Sequence, residues 1–195
     1  MRWLVLAALV ALTRPAAADE SAPAFPFTAD EFQRKLNAAI VADSTDKDHA
    51  DTLRQCRKRP GEVECSFKDM AFQKTIAGFK RLDLASGRFT LNMSLKLSTN
   101  RDGRVTRILL IGDRSDFANL METLSVVANI AQTFDPDAVS GSVKTFADEL
   151  GIIRGDDAKD IGKPRTVIKP YAVIGCLSMP SDETTRIGCT FTPRS

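Results

Sequence analysis

RFTLNMSLKLSTNRDGRVTRILLIG, residues 88–112, carries two strands and the turn between them. Phe89, Leu91, Met93, Leu95 and Leu97 alternate with Thr90, Asn92, Ser94, Lys96 and Ser98, the period-two pattern of a strand with one buried face. Asn100-Arg101-Asp102-Gly103 reverses the chain, because Asp and Gly tolerate the backbone angles of a tight turn. The return strand, Arg104 to Gly112, ends in Ile108-Leu109-Leu110-Ile111, an unbroken apolar run that predicts cover on both faces. From Ser115 to Phe134 the period lengthens. Phe117, Leu120, Leu124, Val127, Ala131 and Phe134 fall three or four apart, with Met121 and Ala128 beside them, as on one side of an amphipathic helix. The expectation is a hairpin with that helix laid on its apolar face.

Toward the N-terminus, a second hairpin is marked by cysteines. Cys56 and Cys65 flank Pro60-Gly61 symmetrically, so a two-residue turn sets them opposite each other, with Arg57 against Glu64 and Arg59 against Glu62 on the other face. In that register Phe67 meets Arg54 where Leu53 is the better match, which points to a bulge or a longer turn that shifts the strand. Cys176 and Cys189 bracket a looser tip at Met179 to Glu183, with Ile174 opposite Phe191. Four cysteines allow three connectivities and the sequence does not choose, although spacing favours neighbours. Their expected role is structural, because a redox role would call for Cys-x-x-Cys, which does not occur.

Around these hairpins, Thr28 with Glu31 forms a capping box for a helix bearing Phe32, Leu36 and Ile40 and fading near Ala42. Asp19 to Pro26 reads as a loose lead-in, and Lys68 to Leu84 fits either a helix or the approach to a strand. Asp135-Pro136 ends one helix and opens another, whose stripe is Val139, Val143, Phe146 and Leu150 and whose stop is Gly151. Thr166 to Leu177 and Arg186 to Thr192 read as the last two strands. The fold class is therefore α+β, with antiparallel hairpins packed by amphipathic helices. Both ends of the chain place a helix before a hairpin that closes on Cys-Ser-Phe or Cys-Thr-Phe, so two related halves, 27–112 and 113–195, are a second way to divide it.

Residues 1–18 have the Arg2 n-region, the Trp3 to Leu12 apolar core and the Ala16-Ala17-Ala18 end of a bacterial-type secretory signal, with cleavage expected before Asp19. Residues 19–195 then form one exported domain, periplasmic or secreted. The full chain has 27 Lys and Arg against 25 Asp and Glu; Arg2 and Arg14 leave with the signal, so the mature balance is neutral. A basic pI is thus no argument for nucleic acid, and no transmembrane segment follows the signal.

His49 is the single histidine, which removes multi-histidine metal sites and two-histidine mechanisms. The acidic loop Asp43 to Asp51 departs from the calcium-loop pattern at Ala50 and Asp51, and no metal or cofactor is expected. No Gly-x-Ser-x-Gly elbow or phosphate-cradling glycine loop occurs, and Val139-Ser140-Gly141-Ser142 lies in a predicted helix. Arg154-Gly155-Asp156 and the sequon at Asn92 are short enough to arise by chance. Arg54, Arg57, Lys58 and Arg59 crowd the first hairpin, a candidate contact patch for an acidic partner. Met93 and Met121 are candidate lining residues for an apolar ligand between sheet and helix. The expected function is non-catalytic binding of a protein partner, as an inhibitor, immunity or envelope assembly factor. A small-ligand carrier is the alternative, and a hydrolase built on Asp or Glu the second alternative.

Overall fold

The computed structural model describes residues 23–44, 52–67, 93–113, 117–138, 143–152, 165–180 and 185–194. In chain order the elements are α1 (Ala29–Asp43), β1 (Leu53–Arg59), β2 (Glu62–Phe67), β3 (Ser94–Thr99), β4 (Val105–Asp113), α2 (Phe117–Phe134), α3 (Val143–Glu149), β5 (Arg165–Ile168), β6 (Val173–Pro180) and β7 (Thr185–Thr192). The strands form one seven-stranded sheet in the order β1-β2-β3-β4-β7-β6-β5, antiparallel at every pairing, and the class is α+β.

Both hairpin readings are met where the turns demand it. Gly61 and Gly103 take φ of 76°, a left-handed conformation that side chains disfavour. Leu95 pairs with Leu110, and Leu97 with Ile108. One row then crosses the inner face through five strands: Cys65, Leu95, Leu110, Cys189, Cys176. Disulfides close Cys56 to Cys65 and Cys176 to Cys189, each within its own hairpin.

The predicted mismatch at Phe67 is resolved by a bulge. Leu53 pairs with Phe67 and Arg57 with Glu64, the register shifting between Arg54 and Arg57, and Gln55 takes φ of 49°. Successive strand residues alternate faces, so Leu53 and Cys56, three apart, share the inner face only because one residue is extra. The same change of parity carries Arg57 and Arg59 to the outer face and leaves Lys58 on the inner side. There Lys58 Nζ lies 2.8 Å from the Asp30 carboxylate of α1.

Helix α1 opens with the capping box: the Thr28 hydroxyl accepts from the Glu31 N–H, and the Glu31 carboxylate accepts from the Thr28 N–H at 2.8 Å. That N–H, and after it the Thr28 hydroxyl 3.1 Å from the same carboxylate, hold the Glu31 carboxyl below its ordinary range. Phe27 packs on Phe32 at 5.5 Å between ring centroids, a hydrophobic staple that fixes how the chain enters the helix. Phe32, Leu36 and Ile40 are buried. Asn37 accepts from the Leu53 N–H at 2.8 Å and so ties α1 to the start of the edge strand β1.

Three expectations are corrected. The lead-in before α1 is ordered at its end: Phe25 donates its N–H to Val105 O, Val105 donates back to Phe27 O, and both rings are buried. Backbone pairing on either side of Pro26 holds the segment to the sheet although proline itself cannot donate. The strand expected from Thr166 to Leu177 is a hairpin, β5 and β6, closed by Lys169 N–H to Ala172 O, with Pro170 inside the turn, where its fixed φ fits. The unbroken run Ile108 to Ile111 is buried on one side: Ile108 and Leu110 lie in the core, whereas Leu109 and Ile111 are half-exposed. The packing that α1 and α2 make with the sheet falls on the buried side, α1 through Leu53 and Lys58 and α2 through Thr123, which occupies the space beside Gly112 where a Cβ would collide with it.

An aromatic cluster closes one end of the core. Phe134 lies 4.9 Å from Phe25, 5.5 Å from Phe27 and 5.3 Å from Tyr171 between ring centroids. Helix α3 ends as predicted at Gly151, φ 69°, with Ile152 N–H donating to Ala147 O and Gly151 N–H to Asp148 O. Lys169, in the β5–β6 turn, meets Glu149 of α3 at 2.8 Å and lies over the Phe146 ring. The signal, residues 45–51 of the acidic loop with His49 among them, the Lys68 to Leu84 stretch, Ser140 and Ser142, Arg154-Gly155-Asp156, Asn92 and the tip at Ser181 to Glu183 fall outside the described residues.

Candidate functional site

The sheet carries α1 and α2 on its inner face, and no described helix covers its outer face. Strand alternation sets two outward rows on that face. One runs Arg57, Glu64, Lys96, Leu109, Thr190, Gly175, Thr166, and the other Arg59, Glu62, Ser98, Arg107. The face is therefore charged over β1 to β3 and at Arg107 of β4, and mainly apolar or small from there to β6 apart from exposed Arg186 of β7. Ile111, Leu177 and Val173 belong to that second half and are each half-exposed.

Electrostatics within the charged half differ from the simple cross-strand pairing that the sequence suggests. Glu64 stands between Arg57 and Lys96, and its ion pair is with Lys96 at 3.4 Å. Arg57, Arg59 and Arg107 are exposed and make no ion pair with a described residue. Of the four basic residues singled out on the first hairpin, Arg57 and Arg59 thus share the outer face, while Lys58 turns to α1. The position of the Arg54 side chain is outside the described set. Arg107, which no local pattern singles out, joins the two arginines through the register of β2 and β3.

Met93 is 6% exposed, within the core, and Met121 is 44% exposed on α2. The two thioethers do not face one interior, because the buried side of α2 runs through Thr123, Leu124, Val127, Ile130 and Ala131 and turns Met121 to solvent. Between α1 and α2, Ser125 donates to the Asp43 carboxylate at 3.3 Å. One turn earlier, burial and then the Asp43 charge push the Glu122 carboxyl up from its ordinary range. Among the described residues no group of three or more His, Cys, Asp or Glu side chains is placed to hold a metal ion. Two buried oxygens, Asn129 Oδ1 and the Tyr171 hydroxyl, meet no partner there.

Two disulfides are at home in an extracellular or periplasmic setting, and among the described residues no helix is long and apolar enough to cross a membrane. No protein-family model, curated protein or solved structure matches the chain.

Proposed function

We propose that this is an exported protein, released by cleavage between Ala18 and Asp19, that acts by binding another protein and performs no covalent chemistry. Inhibition, toxin neutralisation and envelope assembly are the roles this reading covers. The observation that carries it is the outer sheet face, where the guanidinium groups of Arg57, Arg59 and Arg107, which form no ion pair with a described residue, share a face with half-exposed Leu109 and Ile111. Arginine next to accessible apolar surface is the composition of protein interfaces. The disulfides support a presenting role, since they brace the hairpins on either side of β3 and β4.

The reading includes an origin in two related helix-plus-hairpin halves, 27–112 and 113–195, although α2 of the second half packs against β4 of the first. Its support is that each half supplies one disulfide across neighbouring strands and that both disulfides fall on one inner row. The test is native mass spectrometry of the protein recovered from its own cell envelope. A second, protein-sized mass that is lost on denaturation is expected. A small non-covalent mass in its place would overturn the reading in favour of a carrier.

A further inference from the structure

We propose that the outer sheet face docks a protein whose contact surface has an apolar centre edged by Asp and Glu side chains. This rests on the binding reading above and specifies the surface and the chemistry of the partner.

Three observations converge on it. The first is charge: Arg57, Arg59, Lys96 and Arg107 stand on one face with only Glu62 and Glu64 between them, and Glu64 is engaged by Lys96. Neighbouring strands lie ~4.8 Å apart, so Arg59 and Arg107, three strands from each other in one row, bracket a span of roughly 14 Å. Carboxylates on a partner's rim would meet separate guanidinium groups, each able to donate a bidentate pair of hydrogen bonds.

The second observation is the neighbouring apolar half. Leu109 and Ile111 of β4 are half-exposed in mid-sheet, and half-exposed Gly175 two strands beyond Leu109 adds no side chain, so the surface there is shallow. The third is size. Six strand spacings by about six residues of ~3.4 Å give a face of roughly 600 Å² in projection, the order of the ~800 Å² that each partner contributes to a standard interface.

Other occupants fit less well. A second copy set face to face about a twofold axis through the middle of the sheet would lay the charged half over its own Leu109 and Ile111. That arrangement desolvates arginines without pairing them. A nucleic acid or an acidic polysaccharide would place anionic groups against Glu62 and Glu64, and would leave the apolar half unused. The bulge at Gln55 gives the arrangement its local basis, because the extra residue turns Arg57 and Arg59 outward together.

The experiment places a photoreactive benzoylphenylalanine at Leu109 in the full chain, expressed in its own cells, with the same group at Met121 on α2 for comparison. The expected result is one discrete protein adduct at 109, none at 121, and a cross-linked partner peptide flanked by Asp or Glu. The adduct should fall about tenfold or more in Arg57→Glu/Arg59→Glu, and less in Arg57→Gln/Arg59→Gln, both with the parent's disulfides and thermal midpoint. An adduct at 121 alone overturns the face and leaves the binding reading standing. An adduct at 109 that is indifferent to charge reversal overturns the acidic chemistry. An adduct of twice the chain's mass, or one with nucleic acid or polysaccharide, overturns the choice of partner. No adduct at either position overturns the proposal; if native mass spectrometry also finds no added protein, the binding reading falls with it.

Discussion

Tyr171 is the chain's single tyrosine, and its environment makes a residue-scale forecast that can be read without interference. Its ring stacks on Phe134 while its hydroxyl is buried without a partner among the described residues. Burial, and after it the charges of Asp135 and Glu149, push the phenol up to about 12. Absorbance titration should therefore show its midpoint near that value and not near the ordinary ~10. The folded state then holds the proton longer than the unfolded one, so stability should decline as pH rises through the window between the two. Tyr171→Phe removes a hydroxyl that has lost water and gained nothing. Urea denaturation should show stability unchanged or raised by up to ~1 kcal/mol.

Gly112 makes the opposite forecast. Thr123 of α2 fills the space beside its backbone, so Gly112→Ala should lower stability by about 1–3 kcal/mol through overpacking, measured by the same denaturation. Nothing in the sequence marks this glycine as special, because its constraint comes from a helix that packs across the strand end. Gln55 was legible only indirectly. The mismatch between Phe67 and Arg54 called for a bulge or a longer turn, whereas the left-handed backbone at Gln55 follows from where the disulfide and the Leu53–Phe67 pair pin the two ends of β1.

Among the elements, the α1–α2 contact should depend on pH. The Glu122 carboxyl is pushed up, first by burial and then by Asp43, so the native state binds its proton more tightly than the unfolded chain does. Its contribution is present at low pH and is lost as pH rises from the unfolded carboxylate value through the folded one. Glu122→Gln should raise stability at neutral pH by on the order of 1 kcal/mol and flatten that slope, as followed by thermal denaturation across pH. An unchanged slope would mean that Glu122 ionises as freely in the folded protein as in the unfolded chain.

The disulfides give an element-scale comparison. Both close short loops, for which the chain-entropy model gives at most about 2.5–3 kcal/mol. Replacing Cys176 and Cys189 by Ala should cost more than replacing Cys56 and Cys65. The first pair is wholly inside the core, while Cys56 at the sheet edge is half-buried. Denaturant midpoints of the two double variants measure the difference. The hairpins were readable because turn glycines, cysteine symmetry and alternation agree. The division of the last stretch into β5 and β6 was missed because Val167 and Ile168 continue the apolar pattern toward Val173, and only Pro170 signals the turn.

For the whole molecule, what local sequence could not supply is the order of the strands. The β4–β7 pairing joins Leu110 to Cys189 across a long intervening segment, and that pairing merges the two sets of hairpins into one sheet. Local alternation says that a strand has an inner face, but which strands lie side by side depends on long-range packing. The candidate site has the same history. Arg57 and Arg59 stood out as a cluster, but the separation of Lys58 from them and the addition of Arg107 both depend on register. Arginine-selective labelling by phenylglyoxal, read residue by residue by mass spectrometry, tests this most directly. The expected result is modification of Arg57, Arg59 and Arg107 in the free protein and their joint protection when the partner recovered with it is bound. Labelling that the partner leaves unchanged at all three, or protection confined to guanidinium groups elsewhere on the chain, would contradict it.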